Sequence, residues 1–351
     1  MILTNKMLKR FCRIISACLI LLLLTLTSCS ADDEQPAIEA EVGSIVLRVG
    51  DKKISLGKTL VILLGQKDVI EESYSSKLWN VSYEGEQLGE HLKSRLKTNV
   101  ALIFVGAGLA ESEKISLSSE EKTLVSSATD YFYSKLSDSD KKELNVSRAD
   151  IYDIISSYRI SVTGYDRLTN EAETEISKDD ARVIKLNRIS VYKSGMSGAD
   201  LSLKKAAINE AYKALLSGAD FNETASKYDE GGITEFYASR GQLTETEEKI
   251  AFSLSQGQIS EPFETEDSFV IFRCADSYDE AKSEAARREL LLRRKNEHYI
   301  ESVKKYLEEN PLVWNEDLWN GIDITSISYK TDISFFKVYD MFFPEAKDGV
   351  N

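Results

Sequence analysis

The order of hydrophobic and polar positions divides the chain into distinct textures. Residues 44–54 (SIVLRVGDKKI) alternate apolar and polar on either side of Gly50-Asp51, which predicts a β-hairpin. A short helix is predicted to open over residues 60–64. Over residues 84–110, Leu88, Leu92, Leu96, Val100, Ile103 and Val105 recur at helical spacing. Ser118 and Glu121 stand three apart ahead of Leu124, Val125 and Ala128, a capping-box start for a helix running to about Leu136. Ser147 and Asp150 open another, through Ile151, Ile154, Ile155 and Tyr158. Residues 160–175 either continue it or form a further helix. Residues 80–175 therefore read as a helical region.

At Ile176-Ser177 the period changes from helical to two. Residues 183–191 (VIKLNRISV) alternate as a strand. Residues 201–216 form an amphipathic helix closed by Gly218, a residue type favoured just past a helix end. A shorter helix follows from Phe221 to Tyr228, and Gly231-Gly232 breaks it. Phe236-Tyr237 sit in a short extended piece, and Thr244 with Glu247 caps a helix through Phe252. Phe269, Val270, Ile271 and Phe272 are aromatic and β-branched enough for a central strand, which ends at Arg273-Cys274. The order β-α-α-β-α-β makes a compact α+β unit. Residues 277–309 return to a charged helix, stopped by Asn310-Pro311. Its cluster Arg287, Arg288, Arg293, Arg294 and Lys295 reads as a solvated face. The last segment carries Trp314, Leu318, Trp319, Phe335, Phe336, Tyr339, Phe342 and Phe343, too many large apolar side chains for a disordered tail. It is expected to pack back on the helical region or to hold a partner.

The first residues stand apart from this pattern. Lys6, Lys9, Arg10 and Arg13 precede an apolar run over residues 14–26, which is shorter than the roughly 20 residues of a membrane span. Leu26-Thr27-Ser28-Cys29 follows. A basic start, a short apolar core and small residues at the end predict an export signal over residues 1–28. Leu-Thr-Ser-Cys resembles the bacterial lipobox, which implies lipid attachment at Cys29 and stable anchoring by more than one acyl chain. Residues 29–43 are acidic and read as a tether. Residues 1–28 hold four cations and no acid, so their removal takes the net charge from −14 to −18. A chain so acidic is repelled by phosphates, which argues against nucleic acid as a partner. Cys12 and Cys18 leave with the signal, and with Cys29 lipidated Cys274 has no partner for a disulfide. Arg273 projects from the opposite face of the same strand, so Cys274 reads as a buried structural thiol.

Residues 181–276 resemble the parvulin (PpiC-type) peptidyl-prolyl isomerase domain. AYKALLSGADFNETASKYDE looks like the family's helix pair, with Leu216, Gly218, Asp220 and Phe221 at the link. GGITEFYASRGQLTETEEKIAFSLSQGQISEPFET looks like its central block, with Gly231, Gly232, Phe236, Gly241, Gln242, Ala251, Phe252, Leu254, Gly257, Ile259, Ser260 and Pro262 in place. With the helical region and the lipobox, the chain resembles PrsA-type foldase lipoproteins and their SurA-type relatives. The resemblance implies an α+β chain. A SurA-like helical chaperone domain over residues 44–176 precedes a parvulin-like domain with a central antiparallel sheet over 177–276. Residues 277–351 form a long helix and an aromatic segment that packs back on the helical domain. It also implies two histidines on central strands, a hydroxyl beside one of them, and an apolar pocket for a proline ring.

The polar positions depart from that pattern. The first histidine falls at Arg188, the second at Val270, and the hydroxyl at Asp267. The chain's two histidines, His91 and His298, lie outside the segment. The family's cysteine-or-aspartate position falls at Asp229. Peptide-binding positions are expected at Phe236, Leu243, Phe252 and Phe269, while a phenylalanine of the pocket is replaced by Glu247. No residue is assigned a catalytic role, and no metal or other cofactor is implied. Three functions compete. The first is a membrane-anchored extracytoplasmic foldase or chaperone for unfolded or secreted polypeptides, with isomerase activity weak or lost. The second is an active isomerase. The third is a scaffold lipoprotein with one dedicated partner. The pattern is compatible with a homodimer.

Overall fold

The computed structural model describes residues 45–83, 85–171, 175–193, 198–328 and 333–344. The export segment, Cys29 and the acidic tether lie outside the described residues. The chain divides into two compact units, residues 1–172 with 295–351 and residues 173–294.

In the first unit β1 (Ile45–Val49) turns into β2 (Lys52–Ser55) through Gly50, whose φ of +54° lies in the left-handed region that glycine adopts without strain. Ser55 then caps α1 (Leu56–Tyr74), its Oγ accepting from the Lys58 amide at 3.3 Å. The pattern at residues 60–64 predicted only a short helix. The cap and the fully buried run Val61–Leu64 support 19 residues instead. A 3₁₀ turn over Ser76–Asn80 buries Trp79, whose indole N–H donates to Glu71 at 2.8 Å.

A short hairpin of β3 (Ser82–Tyr83) and β4 (Glu86–Gln87) delays the next helix, α2 (Leu88–Ser112), beyond the Glu84 start that periodicity suggested. α3 (Ser119–Lys135) begins with the expected Ser118–Glu121 capping box. α4 (Asp138–Leu144), capped by Ser137 and Asp140, was not visible in the periodicity. α5 (Arg148–Glu171) is one continuous helix, which settles the alternatives left open for its second half.

The second unit contains β5 (Val183–Tyr192), α6 (Gly198–Leu216), α7 (Phe221–Tyr228), β6 (Glu235–Ser239), α8 (Glu245–Ser253), β7 (Phe263–Glu264) and β8 (Ser268–Asp276). The strands form one antiparallel sheet in the order β6-β5-β8-β7. Strand alternation sends Ile189, Val191, Phe269 and Ile271 into the layer built by α6 and α7. Ile184, Leu186, Val270, Phe272 and Cys274 go to the other face, toward Ala251, Phe252 and Leu254.

The long helix α9 (Glu280–Glu309) belongs to both units, its residues up to Arg294 to the second and those from Lys295 to the first. The division therefore falls inside the helix rather than at residue 277. Near the helix start Ser283 accepts from the Val183 amide at 3.0 Å, which ties that end to the sheet. After Pro311, β9 (Leu312–Trp314) joins β1 to make a three-stranded sheet β2-β1-β9. α10 (Glu316–Asn320) and α11 (Phe335–Phe342) complete the first unit. Phe335, Phe336 and Tyr339 of α11 are buried around Tyr158. Helical layers beside antiparallel sheets make the chain α+β. Among the described residues no helix is long and apolar enough to cross a membrane.

Candidate functional site

The α8 face of the four-stranded sheet carries the positions of interest. Leu186 on β5 pairs with Phe236 on β6, Arg188 on β5 pairs with Phe272 on β8, and Val270 on β8 pairs with Phe263 on β7. All six lie on this face by alternation. Three phenylalanines consequently cross the sheet in a row. The rings of Phe236 and Phe272 lie 6.2 Å apart, and those of Phe263 and Phe272 lie 5.1 Å apart. Phe272 is fully buried, while Phe236 and Phe263 are half-buried, as are Leu243 and Ile250 beside them. The result is an apolar rim on a buried apolar floor.

Phe252 is not part of the open rim. It is buried, and the guanidiniums of Arg182 and Arg240 lie 5.0 Å and 4.2 Å from its ring centre. Arg182 also donates to the Phe252 carbonyl at 2.6 Å. Both arginines are paired with Asp179, and Arg240 reaches Glu248 as well. Glu247 closes the cap of α8, accepting from the Thr244 hydroxyl at 2.7 Å. Phe269, expected beside Phe236 and Leu243, points instead into the α6–α7 layer and is buried there. It precedes Val270 by one residue, and the two-residue period of a strand places neighbours on opposite faces.

The residues at the polar positions are placed as follows. Val270 is buried and contributes hydrocarbon to the floor. Arg188 is half-buried, with its guanidinium 5.3 Å from the Phe236 ring centre. Its Nε is buried and has no hydrogen-bond acceptor. Arg188 and Val270 are diagonal neighbours across β5 and β8, since Val270 pairs with Ser190. Asp267 is exposed in the β7–β8 turn, where it accepts from Thr265 Oγ1 at 3.0 Å and Ser268 Oγ at 3.1 Å. The Thr265 bond first, then that from Ser268, holds its carboxyl below the ordinary range. Asp229 accepts from the backbone amides of Ser190 and Gly232, both at 2.7 Å, so its carboxylate stitches the glycine turn to β5.

Cys274 is a free, fully buried thiol on the same face. Burial, and then the charge of Asp276, push its pKa up, which disfavours the thiolate. Arg273 lies across the sheet over Phe221, as alternation requires. Among the described residues no group of three potential ligands could hold a metal ion. Phe263, Phe272, Arg182 and Arg240 were not singled out from the sequence. Phe272 shares the parity of Val270 along its strand, a signal for its face. Phe263 follows Pro262, but its pairing with β8 depends on a turn that hydrophobic alternation does not reveal.

Comparison with known proteins bears on this face. Residues 189–276 match the rotamase family, described as the PPIC-type PPIASE domain. Val270 and Asp267 fall within that span, and Arg188 stands one residue before it. The Foldase protein PrsA of Bacillus subtilis (strain 168) is 29% identical over 161 residues, 41% of this chain and 53% of that protein. The match thus spans about half the length of that relative. The Foldase protein PrsA of Caldanaerobacter subterraneus subsp. tengcongensis is 26% identical over 260 residues, 71% of this chain and 78% of that protein. Of solved structures, PrsA from Bacillus cereus is similar at 19% identity and a TM-score of 0.32, covering 75% of this chain and 96% of that one. A SurA-like chaperone structure from Campylobacter jejuni is similar at 11% identity and a TM-score of 0.21, covering 77% of this chain and 98% of that one.

Proposed function

We propose, from the premise that this chain is a PrsA-like protein with a parvulin-type domain, that it is an extracytoplasmic foldase or chaperone that holds unfolded secreted polypeptides and has lost most prolyl isomerisation. Lipid on Cys29 anchors it to the outer face of the cell membrane, and the acidic residues that follow serve as a tether. The polypeptide docks on the half-exposed rim of Phe236, Leu243 and Phe263. The helical unit, completed by the aromatic C-terminal segment, provides further chaperone surface.

One observation carries the reading. Val270, a buried hydrocarbon on the central strand, occupies a position where the parvulin resemblance implies an imidazole. A side chain without donor or acceptor gives a twisted amide no stabilisation beyond what it gives the planar one. The rim nevertheless keeps apolar surface on offer, which is what a holding surface needs.

Two assays on the full-length chain in detergent test the proposal together. The chain is expected to delay aggregation of a reduced, unfolded client at near-equimolar ratios. Isomerisation of a prolyl peptide is expected to stay at the uncatalysed rate. Changing Phe236 and Phe263 together to Ala is expected to weaken the holding effect. Turnover above background that falls in the same double variant would replace this reading with an active isomerase.

A further inference from the structure

A strand at the end of a sheet presents unpaired N–H and C=O groups to any extended chain, and proteins blunt such edges with lysine, proline or brevity. β2 carries exposed Lys52 and Lys53. β7 is two residues long and follows Pro262. β9 is three residues long and follows Pro311. β6, at the end of the four-stranded sheet, has five residues with no proline and no lysine. Ile233 just ahead of it and Tyr237 within it are exposed. The outward groups of β6 follow from its pairing. Residues of an antiparallel pair alternate between those that exchange hydrogen bonds and those that do not. The Arg188 amide donates to the Thr234 carbonyl at 2.9 Å, so Phe236 and Ala238, which share the parity of Thr234, turn their backbone groups toward β5. Glu235, Tyr237 and Ser239 turn theirs outward. Those of Ser239 are in use, since its N–H donates to Gln242 Oε1 at 2.9 Å and its carbonyl accepts from the Gln242 amide at 3.3 Å. The backbone groups of Glu235 and Tyr237 remain at the open edge.

We propose that a second copy of this chain pairs with β6, antiparallel across a two-fold axis at Phe236, and joins the two four-stranded sheets into one. The axis must pass through a residue, because an axis between residues sets an outward residue against an inward one and forms no bonds. At Glu235 it would place two carboxylates directly opposite each other, which is destabilising. At Tyr237 it would set Glu235 against Ser239, whose groups Gln242 already holds. At Phe236, Glu235 of each copy faces Tyr237 of the other, and both of these pairs exchange N–H and C=O bonds. Charge favours the same register. Lys282 and Lys185 lie 4.2 Å and 5.7 Å from the centre of the Tyr237 ring, and the chain's own Glu235 pairs with Lys185 at 2.8 Å. Glu235 of the second copy therefore arrives beside Lys282. On the α8 face Phe236 meets Phe236 of the second copy across the axis, which turns the two apolar rims into one strip. A contact of this kind uses the same patch on both copies and closes at two. The net charge of −14 on each chain opposes encounter, and salt screens that repulsion beyond roughly 8 Å at physiological ionic strength. The pairing does not depend on what the rim binds.

The test uses the full-length chain in detergent, with micelles in excess, and combines sedimentation equilibrium with disulfide capture. The native chain is expected to pass from monomer to dimer as its concentration rises through the micromolar range. Tyr237→Pro removes an N–H that β5 does not use, and is expected to raise the dissociation constant at least about tenfold, through the loss of one donor in each copy. For capture, Glu235→Cys, Phe236→Cys and Tyr237→Cys are oxidised separately beside the parent chain, whose buried Cys274 sets the background. Phe236→Cys is expected to give the covalent dimer, because directly opposed residues of this type stand about 4.5 Å apart between Cα atoms, within disulfide reach. Glu235→Cys and Tyr237→Cys are expected to stay near background, because their like residues lie diagonally, at about 7–8 Å. Should Tyr237→Pro lose its native circular dichroism, the cysteine series decides the question. A native chain that stays monomeric with no capture at Phe236→Cys would overturn the proposal. So would a dimer that Tyr237→Pro leaves unchanged, or capture strongest at Glu235→Cys or Tyr237→Cys.

Discussion

Replacing Phe335 by Ala tests whether the C-terminal aromatic segment is core rather than tail. Phe335 is 1% exposed. Its ring meets Phe132 edge-on at 6.3 Å, Tyr158 at 5.9 Å and Phe336 at 4.9 Å, and stacks on Tyr339 at 6.4 Å. Truncating a buried phenylalanine costs about 3–5 kcal/mol, transfer and cavity together. The four ring contacts place this site toward the upper half of that range, near ~4 kcal/mol. With a urea slope of about 2 kcal/mol/M, the unfolding midpoint falls by roughly 2 M. The assay is selective by composition. Trp79, Trp314 and Trp319 are the chain's three tryptophans, and all lie in the first unit, so their emission follows that unit alone. Met341, on the same helix but 58% exposed, is the control, and its change to Ala is expected to move stability by no more than about 0.5 kcal/mol. If the two substitutions shift the tryptophan transition equally, α11 does not contribute to the core and the reasoning fails.

The remaining predictions concern a half-buried acid, a helix contact and a turn. Burial raises the Asp68 carboxyl from 3.8 to about 6, with Glu71 and Glu72 adding to the rise and Lys337 and Lys67 opposing it. Its folded pKa exceeds the unfolded one, so the stability it confers is complete below about pH 4 and is lost as pH rises through about 6. Asp68→Asn is therefore expected to raise Tm at pH 7.5, by the equivalent of ~1–2 kcal/mol after allowance for partial exposure, and to change little at pH 4; an equal Tm change at both pH values would refute the assignment. Gly57→Ala gains roughly 1 kcal/mol of helix propensity but drives the new methyl into the Leu144 carbonyl, which is backbone and cannot swing aside. A net loss of about 1–3 kcal/mol is expected in urea, and a more stable variant would contradict it. Asp229→Ala strips the acceptor from the Ser190 and Gly232 amides, with an expected loss of ~1.5–3 kcal/mol in the thermal unfolding of the second unit, read by circular dichroism. Unchanged unfolding would show that water replaces the carboxylate.

What could be read from the sequence is what short-range physics decides. The Ser118–Glu121 and Thr244–Glu247 boxes announce helix starts because cap and partner are three residues apart. The Ser137–Asp140 box escaped notice because its helix is only seven residues long, too short to display a period. Alternation placed Arg273 and Cys274 on opposite faces correctly, and the same rule excludes Phe269 from the face of Val270. The expected grouping of Phe269 with Phe236 followed its apolar character instead of its parity. Long-range pairing is where legibility ends. Nothing local to Leu312–Trp314 says that it lies against β1, and nothing near Arg182 or Arg240 says that both cover Phe252. The ring row depends on three pairings, β5–β6, β5–β8 and β7–β8, each made by a different part of the chain.

The proposed function requires a rotamase-like sheet to hold a prolyl segment without turning it. The barrier to rotation, about 18–20 kcal/mol, comes from amide resonance, and a surface lowers it only by favouring the twisted amide over the planar one. The exposed parts of Phe236 and Phe263, on either side of the buried Phe272, would offer hydrocarbon and ring faces to either geometry without discriminating between them. Val270 adds packing alone. Arg188, stacked on Phe236 at the edge of this floor, is a polar group whose direction of action matters. A cation donating to the imide oxygen would stabilise the charge-separated resonance form, in which the C–N bond has most double-bond character. It would thereby hold the planar ground state and raise the barrier. Under the proposed function this face binds a segment without lowering its barrier, as is required of a surface that keeps an unfolded chain from aggregating while the chain isomerises at its own rate.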